Sequence, residues 1–529
     1  MTDRRAVDQT VDPAVDAAPA ARAINRRRVL QAAGAVAVVA TGRAAGAAPG
    51  SAAPAPAAPS AGGKALPISR DAALHIARRL SFGPSAALVA DVRSTGADAW
   101  IERQLKPASI DDSELDLVIA AGSWRDPRNP ITRVDIGALE AAQGRTILRQ
   151  LFSNRHLYEV VVEFWANHFS IFGGHVLAGP GKGLDDDNVA RAHAFGSFSD
   201  MLVASAQSPA MLFYLDQWLS TGENPNENYA REVMELHTLG VDGGYTERDM
   251  AQAALALTGW TASPGSDTFA YRPRIHHVGP LRVMGWSHPN ATAEGGVEVG
   301  VSLLRYLASH PSTARHLAAK LCRRFVSDVP PSSLVDSAAR VYLASRTQIA
   351  PVLRHIFASQ AFRTSVGAKY RRPMELAGAA VRALRLELQP QQVHNQGVGL
   401  LVHLETVGQA PFNWPPPDGY PDVAEEWLST AANLTRWNFL QALVAGQVGG
   451  LGRPDFNALV GTPTPTTAGE LVDRLFSALA FQTVAEQHRG ALLRYLGKSN
   501  DTPVDANLVR AETPALAALI LSSPYLQAR

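Results

Sequence analysis

Apolar residues recur at intervals of three and four along nearly the whole chain between residues 64 and 529. This spacing places them on one face of an α-helix, whereas the strict alternation typical of strands is rare. The most strand-like stretches, residues 269–275 and 281–284, predict a small β-hairpin at most. No second proline- and glycine-rich linker divides the chain after Gly63. We therefore expect a mainly α fold in which residues 64–529 form a single large helical domain, a multi-helix globular body.

A basic and weakly apolar segment stands at the amino-terminal end of the chain. Three consecutive arginines at 26–28 precede an apolar run at 32–40 that is rich in alanine and glycine, and small residues suitable for peptidase cleavage follow at 45–47. The pattern predicts a twin-arginine signal peptide over residues 1–47. The alternatives are a retained membrane anchor and a disordered basic tail. The anchor is disfavoured because the run has about half of the roughly 20 residues that cross a bilayer.

That signal predicts export, to the periplasm or the extracellular space, with the twin-arginine translocase as the partner during export. Residues 48–63 contain only proline, alanine, serine and glycine, which predicts a linker. No later stretch is long and apolar enough to cross a bilayer, so we expect no membrane span in the mature protein.

Charge and cysteine content exclude two further classes. The formal net charge is +1, and the predicted signal carries seven Arg and four Asp, so the mature chain is near +1 − (7 − 4) = −2. Without a basic stripe, nucleic acid is not an expected partner. The single cysteine, Cys322, permits neither an intramolecular disulfide nor a cysteine-rich metal site. Its apolar helical surroundings favour a buried thiol over a reactive one.

Several motifs stand out along the predicted helices. In chain order they are Phe-Trp-Ala-Asn-His-Phe at 164–169, Asn-Glu-Asn-Tyr-Ala-Arg-Glu-Val-Met-Glu-Leu-His-Thr-Leu-Gly at 226–240, Ala-Leu-Thr-Gly-Trp at 256–260, Lys-Leu-Cys-Arg-Arg-Phe at 320–325, and Pro-Pro-Pro-Asp-Gly-Tyr-Pro at 415–421. In content and order they resemble the bacterial family known as domain of unknown function 1800, over nearly the whole mature chain. The resemblance implies an often exported protein without an established reaction, so it assigns no catalytic residue. Where relatives often have His-Asp followed by glycine, this chain has His-His-Val-Gly at 276–279.

A cluster of polar residues on the predicted helices suggests a site. In the 226–240 motif, Asn228, Glu232 and Glu235 lie at i, i+4 and i+7, on one side of a helix. If the histidine-bearing motifs converge on this side, a mixed nitrogen and oxygen site for zinc, iron or manganese forms. The candidate ligands of this divalent transition metal are His168, Glu232, Glu235, His237, His276 and His277. The candidate catalytic residues are Asn167, Asn228, Arg231 and Asp418.

The same residues also admit a purely structural interpretation. Arg231 stands four residues after Glu227 and four before Glu235, so it can pair with either carboxylate. In this alternative the three charges form a buried network and the histidines are hydrogen-bonded core residues.

Three other segments have two interpretations each. Residues 412–427, rich in aromatic residues and proline, either cover the core or form a lid that stacks on sugars. The aspartates at 185–187 are expected to be a solvated run rather than a calcium loop. The basic face formed by Arg315, Lys320, Arg323 and Arg324 is expected to be solvated.

Two functions remain open from the sequence. The first is an exported metal-assisted hydrolase or oxidoreductase, in which the metal activates water or binds dioxygen. The alternative is a non-catalytic binding or scaffold protein of the cell envelope that holds a glycan or an envelope protein. An enzyme needs its histidines in an open cleft, whereas a scaffold can bury them.

Overall fold

Helices form almost all of the regular structure, as the apolar spacing predicts, so the fold is mainly α. The computed structural model describes residues 67–121, 136–265 and 267–529. The predicted signal peptide and the whole predicted linker lie outside these residues. The described residues belong to one compact unit, Ala65–Arg529.

Eleven α-helices lie in the described part of the amino-terminal half. They are α1 Ala72–Arg79, α2 Ala86–Thr95, α3 Ala97–Gln104, α4 Ser113–Ala121, α5 Ile136–Phe152, α6 His156–His168, α7 Lys182–Asp185, α8 Phe198–Ala206, α9 Pro209–Tyr214, α10 Glu227–Glu232 and α11 Glu247–Ala256. Two π-helical segments interrupt this series, Asp186–Arg191 after α7 and Val233–Thr238 after α10. The second, which we call the signature π-helix, lies in the middle of the 226–240 motif.

Thirteen α-helices lie in the carboxyl-terminal half. They are α12 Gly296–Ala308, α13 Pro311–Phe325, α14 Ser332–Ala344, α15 Ile349–Ala358, α16 Gln360–Arg363, α17 Pro373–Ala383, α18 Val393–Thr406, α19 Thr430–Val444, α20 Phe456–Val460, α21 Ala468–Ala480, α22 Glu486–Tyr495, α23 Ala506–Ser522 and α24 Pro524–Gln527. Helix α17 is the central one, because all of its residues except Arg382 are buried. Helices α5, α18, α19, α21 and α24 pack around it.

Two small antiparallel sheets complete the described fold. Strands β1 Trp260–Thr261 and β2 Ala270–Tyr271 form one, and β3 Leu281–Val283 and β4 Trp286–His288 form the other. The second is a hairpin that turns at Met284 and Gly285, both with positive φ. The predicted strand regions are thus present, but they pair with separate partners rather than with each other.

Side-chain caps decide where several helices begin. Thr246 and Asp249 form the capping box that opens α11, as their spacing in the sequence predicts. Asn226 caps α10 by accepting from the amide of Tyr229. Gly240, with φ of +83°, follows the end of the signature π-helix, because glycine adopts this conformation at little cost.

Buried ion pairs hold the region around the first π-helical segment. Lys182 pairs with Asp185 at 2.6 Å, and Arg191 pairs with both Glu159 and Asp186 at about 3 Å. The expectation of a solvated aspartate run is therefore wrong for Asp185 and Asp186, which are buried. Burial is tolerated here because each carboxylate faces a cation.

Cys322 is buried, as its helical surroundings predict. In the part of the chain that the structure describes, no helix is both long and apolar enough to cross a membrane.

Candidate functional site

A half-open cleft of about 480 Å³ lies where the end of α6, one face of α13 and the segment 414–426 meet. The cleft is lined by Glu163, Phe164, Asn167 and His168 of α6, by His316, Lys320, Arg323 and Arg324 of α13, by Arg372, and by Trp414, residues 418–423 and Glu426. Residues of two of the sequence motifs, 164–169 and 415–421, thus line the cleft together with the face of α13 that carries the motif at 320–325. Among the lining residues Arg324, Arg372 and His168 are buried, while Asp418 and Glu426 are exposed at the rim.

The carboxyl end of the signature π-helix lies behind this cleft and supplies backbone carbonyls without helical partners. His168 Nε2 donates to the carbonyl oxygen of His237 at 3.1 Å, because a carbonyl can only accept. His316 is hydrogen-bonded to the carbonyl of Leu236. Two histidines from α6 and α13 therefore cap one helix end, which fixes the orientation of both rings.

Lys320 occupies the floor of the cleft beside His168. Its Nζ lies 3.0 Å from Nδ1 of His168. Because Nε2 of that ring carries the hydrogen, Nδ1 accepts and Lys320 donates. Burial, together with the charge of Arg323, lowers the pKa of Lys320 to about 8, against the opposing effect of Asp418 and Asp422. The amine thus exchanges its proton near neutral pH.

The three histidines near Lys320 are neutral. Burial, and then the charge of Lys320, holds the pKa of His168 well below its usual range and lowers the pKa of His237 to about 3 and of His316 to about 4. The rings of His168 and His237 are 6.1 Å apart between centroids, and those of His168 and His316 are 6.4 Å apart. Within the described residues, Nε2 of His237 and Nε2 of His316 have no hydrogen-bond partner.

Asn167 holds the segment that forms the outer wall. Its Nδ2 donates to the carbonyl oxygen of Tyr420, and its Oδ1 accepts from the amide of Tyr420. Gly419 permits this approach: its φ is +77°, and a Cβ there would lie 2.2 Å from the carbonyl oxygen of Asn167. The wall carries Asp418, which accepts from the indole of Trp414 at 2.8 Å. Asn167, predicted as catalytic, therefore lies in the cleft with both amide atoms bound to backbone.

A network of buried charges supports the inner end of the cleft. Glu375 is 1% exposed, accepts hydrogen bonds from Arg324 and Arg372, and forms an ion pair with Arg529. These arginines outweigh the burial that opposes ionisation, so the pKa of Glu375 lies well below its usual range. Glu163 bridges Arg372 at 2.7 Å and Arg324 at 3.2 Å, which ties the network to α6.

A second group of ion pairs, centred on Lys369, lies near the outer wall. Asp422 lies 3.1 Å from Lys369, which also pairs with Asp328 at 2.6 Å. Although burial opposes ionisation, the charges of Lys369 and Arg372 lower the pKa of Asp422 to about 2. Asp422 is therefore an anion that is already neutralised by its own neighbours.

The carboxylates predicted as metal ligands lie at the edge of this region. Glu232 is half-buried, and burial together with the charges of Glu235 and Asp418 raises its pKa. Glu232, at the end of α10, lies near the outer wall of the cleft, because the charge of Asp418 contributes to its raised pKa. Neither Glu232 nor Glu235 lines the cleft.

The structure brings only some of the predicted residues together. His168 and His237 are neighbours, whereas His276 binds Thr258 through Nδ1 and Asn290 through Nε2, beside β1 and β2. His277 follows it near Gly222 and Gly279. Since both ring nitrogens of His276 are occupied by protein groups, the predicted convergence of this histidine with His168 is wrong.

Arg231 and Asn228 are also placed apart from the cleft. Arg231 is half-buried and pairs with Glu247 of α11 at 3.0 Å, so the predicted buried network of Arg231 with Glu227 and Glu235 is wrong. Asn228 is exposed and lines a separate surface depression around residues 215–228. Of the four predicted catalytic residues, the cleft contains Asn167 and Asp418.

The donor groups of the predicted metal site are not arranged as a ligand set. Among the residues that the structure describes, no group of three or more His, Cys, Asp or Glu side chains could hold a metal ion. Metal binding by His168, Glu232, Glu235 and His237 stays a prediction, to which the geometry of the cleft adds no further ligand.

The spacing of the basic residues in α13 indicates three further cleft residues that are not among the predicted site residues. His316, Lys320 and Arg323 follow one another at i, i+4 and i+7 of α13, which is the spacing of one helix face. The expectation that this basic face is solvated is wrong for Arg324, which is buried, and holds for Arg315, whose side chain is 60% exposed. Lys320 and Arg323 are half-buried and line the cleft.

The fold and the site define a class of mainly α proteins with a mixed-charge cleft. The motifs that form this cleft are far apart in the sequence. Residues 75–528 match the family model described as "Protein of unknown function (DUF1800)", and the chain belongs to that family. The resemblance carried by the five motifs is thereby confirmed. No curated protein and no solved structure matches the chain.

Proposed function

We propose that the chain is an exported enzyme that carries out acid–base chemistry in the cleft, with Lys320 as its proton donor. The observation that carries the proposal is the 3.0 Å hydrogen bond from Nζ of Lys320 to Nδ1 of the neutral His168. This pair lies in a half-open cleft of about 480 Å³ that has room for a small substrate.

The energetics of the pair suit proton transfer. General acids and bases work best when their pKa is near the pH of the reaction, and the pKa of Lys320 is lowered to about 8. His168 keeps one tautomer because the carbonyl of His237 accepts from its Nε2. Lys320 is therefore held by a fixed acceptor, with its remaining donors available to a substrate.

Hydrolysis is the reaction class that we favour. A general acid assists the cleavage of an ester, amide or glycosidic bond by protonating the leaving group. Metal assistance of a hydrolytic or oxidative reaction by His168, Glu232, Glu235 and His237 remains a separate proposal. The acid–base proposal does not depend on it, because Lys320 and His168 are already in contact.

The ionisation of Lys320 is tested with 1-fluoro-2,4-dinitrobenzene, which reacts with the neutral form of an amine and not with its protonated form. Mass spectrometry of peptides separates the six lysines of the chain, at positions 64, 106, 182, 320, 369 and 498. We expect the reaction rate of Lys320 to be half-maximal near pH 8, whereas an ordinary lysine titrates at about 10.4. The exposed Lys106 is the internal reference, and a midpoint for Lys320 equal to that of Lys106 would contradict the proposal.

Catalysis is tested with purified exported protein and a set of chromogenic esters, amides, glycosides and phosphate esters. Lys320→Gln should lower kcat by about 10²–10⁴-fold, the usual contribution of a general acid. Lys106→Gln is the matched control and should leave kcat unchanged. Circular dichroism checks that both variants fold. Unchanged turnover by a folded Lys320→Gln variant would refute the role of Lys320.

One observation favours the alternative, a glycan-binding protein of the cell envelope. The ring of Trp414 packs against the buried Tyr420, with centroids 5.0 Å apart, and Tyr420 packs against the buried Trp427, with centroids 6.1 Å apart. Trp414 is half-buried and lines the cleft, as an aromatic sugar platform does. Binding to peptidoglycan or envelope glycan that is lost in Trp414→Ala and kept in Lys320→Gln would favour this function over catalysis.

A further inference from the structure

Two cations in the cleft have no acidic partner. Lys320 donates to His168, and Nε of Arg323 donates to the backbone carbonyl of Asp328 at 3.3 Å. Within the described residues neither side chain forms an ion pair with a carboxylate. They lie three residues apart on α13 and line the same cleft.

Two of the carboxylates around the cleft are bound to other cations, and the exposed Asp418 and Glu426 lie at its rim without an ion pair to Lys320 or Arg323 within the described residues. Asp422 pairs with Lys369, and Glu163 pairs with Arg372 and Arg324. Asp418 accepts from the indole of Trp414. Asp418 and Asp422 favour the charged form of Lys320, but burial and Arg323 have the larger effect on it.

The inner lining adds donors without acceptors. Nε of Arg324 and Nε of Arg372 are buried without a hydrogen-bond partner in the described part of the chain. Arg324 is 1% and Arg372 is 3% exposed, and both line the cleft. Guanidinium and ammonium groups donate and cannot accept, so a ligand that faces Lys320 and Arg323 in the cleft must offer acceptors. Leaving buried charged donors without acceptors is costly.

We propose that the cleft binds an anionic group, a carboxylate, phosphate or sulfate, between Lys320 and Arg323. Arginine offers a planar fork to such oxygens and lysine a point charge. The inference deepens the proposed function and rests on it, since the anion is the part of the substrate that would orient the reacting bond. An anion beside Lys320 also favours its ammonium form, which is the form that a proton donor requires.

The test is isothermal titration calorimetry on the full chain with sodium phosphate, sodium sulfate and sodium acetate, each against sodium chloride at equal ionic strength. We expect at least one of the three anions to bind with a saturable isotherm. Preference for phosphate or sulfate assigns a phosphorylated or sulfated substrate, and preference for acetate assigns a carboxylate. Absence of binding by all three anions would overturn the proposal.

Two substitutions on the same helix make the test specific. Arg323→Gln should weaken binding of the preferred anion at least about tenfold, the effect of losing a charge-assisted contact. Arg315→Gln is the matched control, because Arg315 lies on α13 but its exposed side chain pairs with Asp336. Equal affinity of the two variants would refute the assignment. Should Arg323→Gln fail to fold, Lys320→Gln replaces it, with the same expected weakening and the same refuting result.

The outcome is separable from that of the acid–base proposal. Anion binding together with an ordinary titration of Lys320 would keep the anion site and reject proton donation. A Lys320 midpoint near pH 8 without anion binding would do the reverse. In the wild-type chain the preferred anion should also slow the arylation of Lys320 and leave that of Lys106 unchanged.

Discussion

The side-chain amide of Asn167 pairs with the backbone of Tyr420 through two hydrogen bonds, at 2.7 and 2.9 Å. The pair joins the end of α6 to the segment that forms the outer wall of the cleft, 253 residues later. Because both the amide and the carbonyl of Tyr420 take part, the position of the wall is set independently of the side chains that it presents.

Gly419→Ala should break this junction. The new methyl group would lie 2.2 Å from the carbonyl oxygen of Asn167, at a φ of +77°. Gly461→Ala is the matched control, since Gly461 has a φ of +76° and nothing within 4 Å of its added Cβ. We expect about 1 kcal/mol of destabilisation for the control, from the left-handed conformation, and distinctly more for Gly419→Ala. Urea unfolding measures both, and equal values would show that the contact is not tight.

Glu375→Gln should be strongly destabilising. The substitution leaves Arg324, Arg372 and Arg529 without their shared anion, and breaking a buried pair costs roughly 3–5 kcal/mol. Glu102→Gln is the surface control, because the exposed pair of Glu102 and Arg354 contributes about 1 kcal/mol at most. Chemical denaturation gives both free energies of unfolding. A loss below that of the control would show that the network does not support the fold.

The neutral histidines predict acid sensitivity. The folded pKa of His237 is about 3 and its unfolded value is about 6.5. Between these values the unfolded chain binds a proton that the folded chain does not, so stability falls as pH falls below about 6.5. His237→Gln should make the free energy of unfolding less dependent on pH between about 4 and 6.5. An unchanged slope would show that His237 is protonated in the folded protein.

Glu232→Gln should change stability by no more than about 0.5 kcal/mol. Glu232 is half-buried beside Glu235, and the nearby Arg231 is already paired with Glu247. The substitution therefore leaves no cation uncompensated. Thermal unfolding and metal analysis of the purified protein are measured together. Loss of a stoichiometric metal from the variant would establish the predicted metal site instead.

Replacing Arg26, Arg27 and Arg28 together by Lys should stop export. The twin-arginine receptor distinguishes guanidinium groups from ammonium groups of the same charge. Arg4 and Arg5 replaced by Lys form the control, since these residues lie outside the motif. Cell fractionation and immunoblotting locate the protein. Normal export of the triple variant would exclude this route.

Local patterns predict those parts of the structure that local contacts decide. The capping box of Thr246 and Asp249 is visible in the sequence because its partners are three residues apart. His168 and His237 were expected to converge because each lies on the apolar face of its helix. Their convergence depends on which helix faces pack together, and apolar spacing indicates which face of each helix is buried.

The environment of Lys320 depends on contacts that no local pattern contains. A helix face with several cations and no carboxylate looks solvated, and this one is covered by a segment about 100 residues later, which includes Asp418 and Asp422. The break between α5 and α6 at residues 153–155 is equally hidden, because apolar spacing continues across it.

The signature π-helix makes the number of residues in the motif as important as their identity. A π-helical turn accommodates one more residue than an α-helical turn, and Leu239 donates five residues back to Met234. Deleting one residue within Val233–Thr238 would restore α-helical geometry and change which residues and carbonyls face each side of this turn. The carbonyl that orients His168 would then face elsewhere, even with every histidine retained. A relative whose motif is one residue shorter would lack this site, and an alignment that closes the gap would hide the loss.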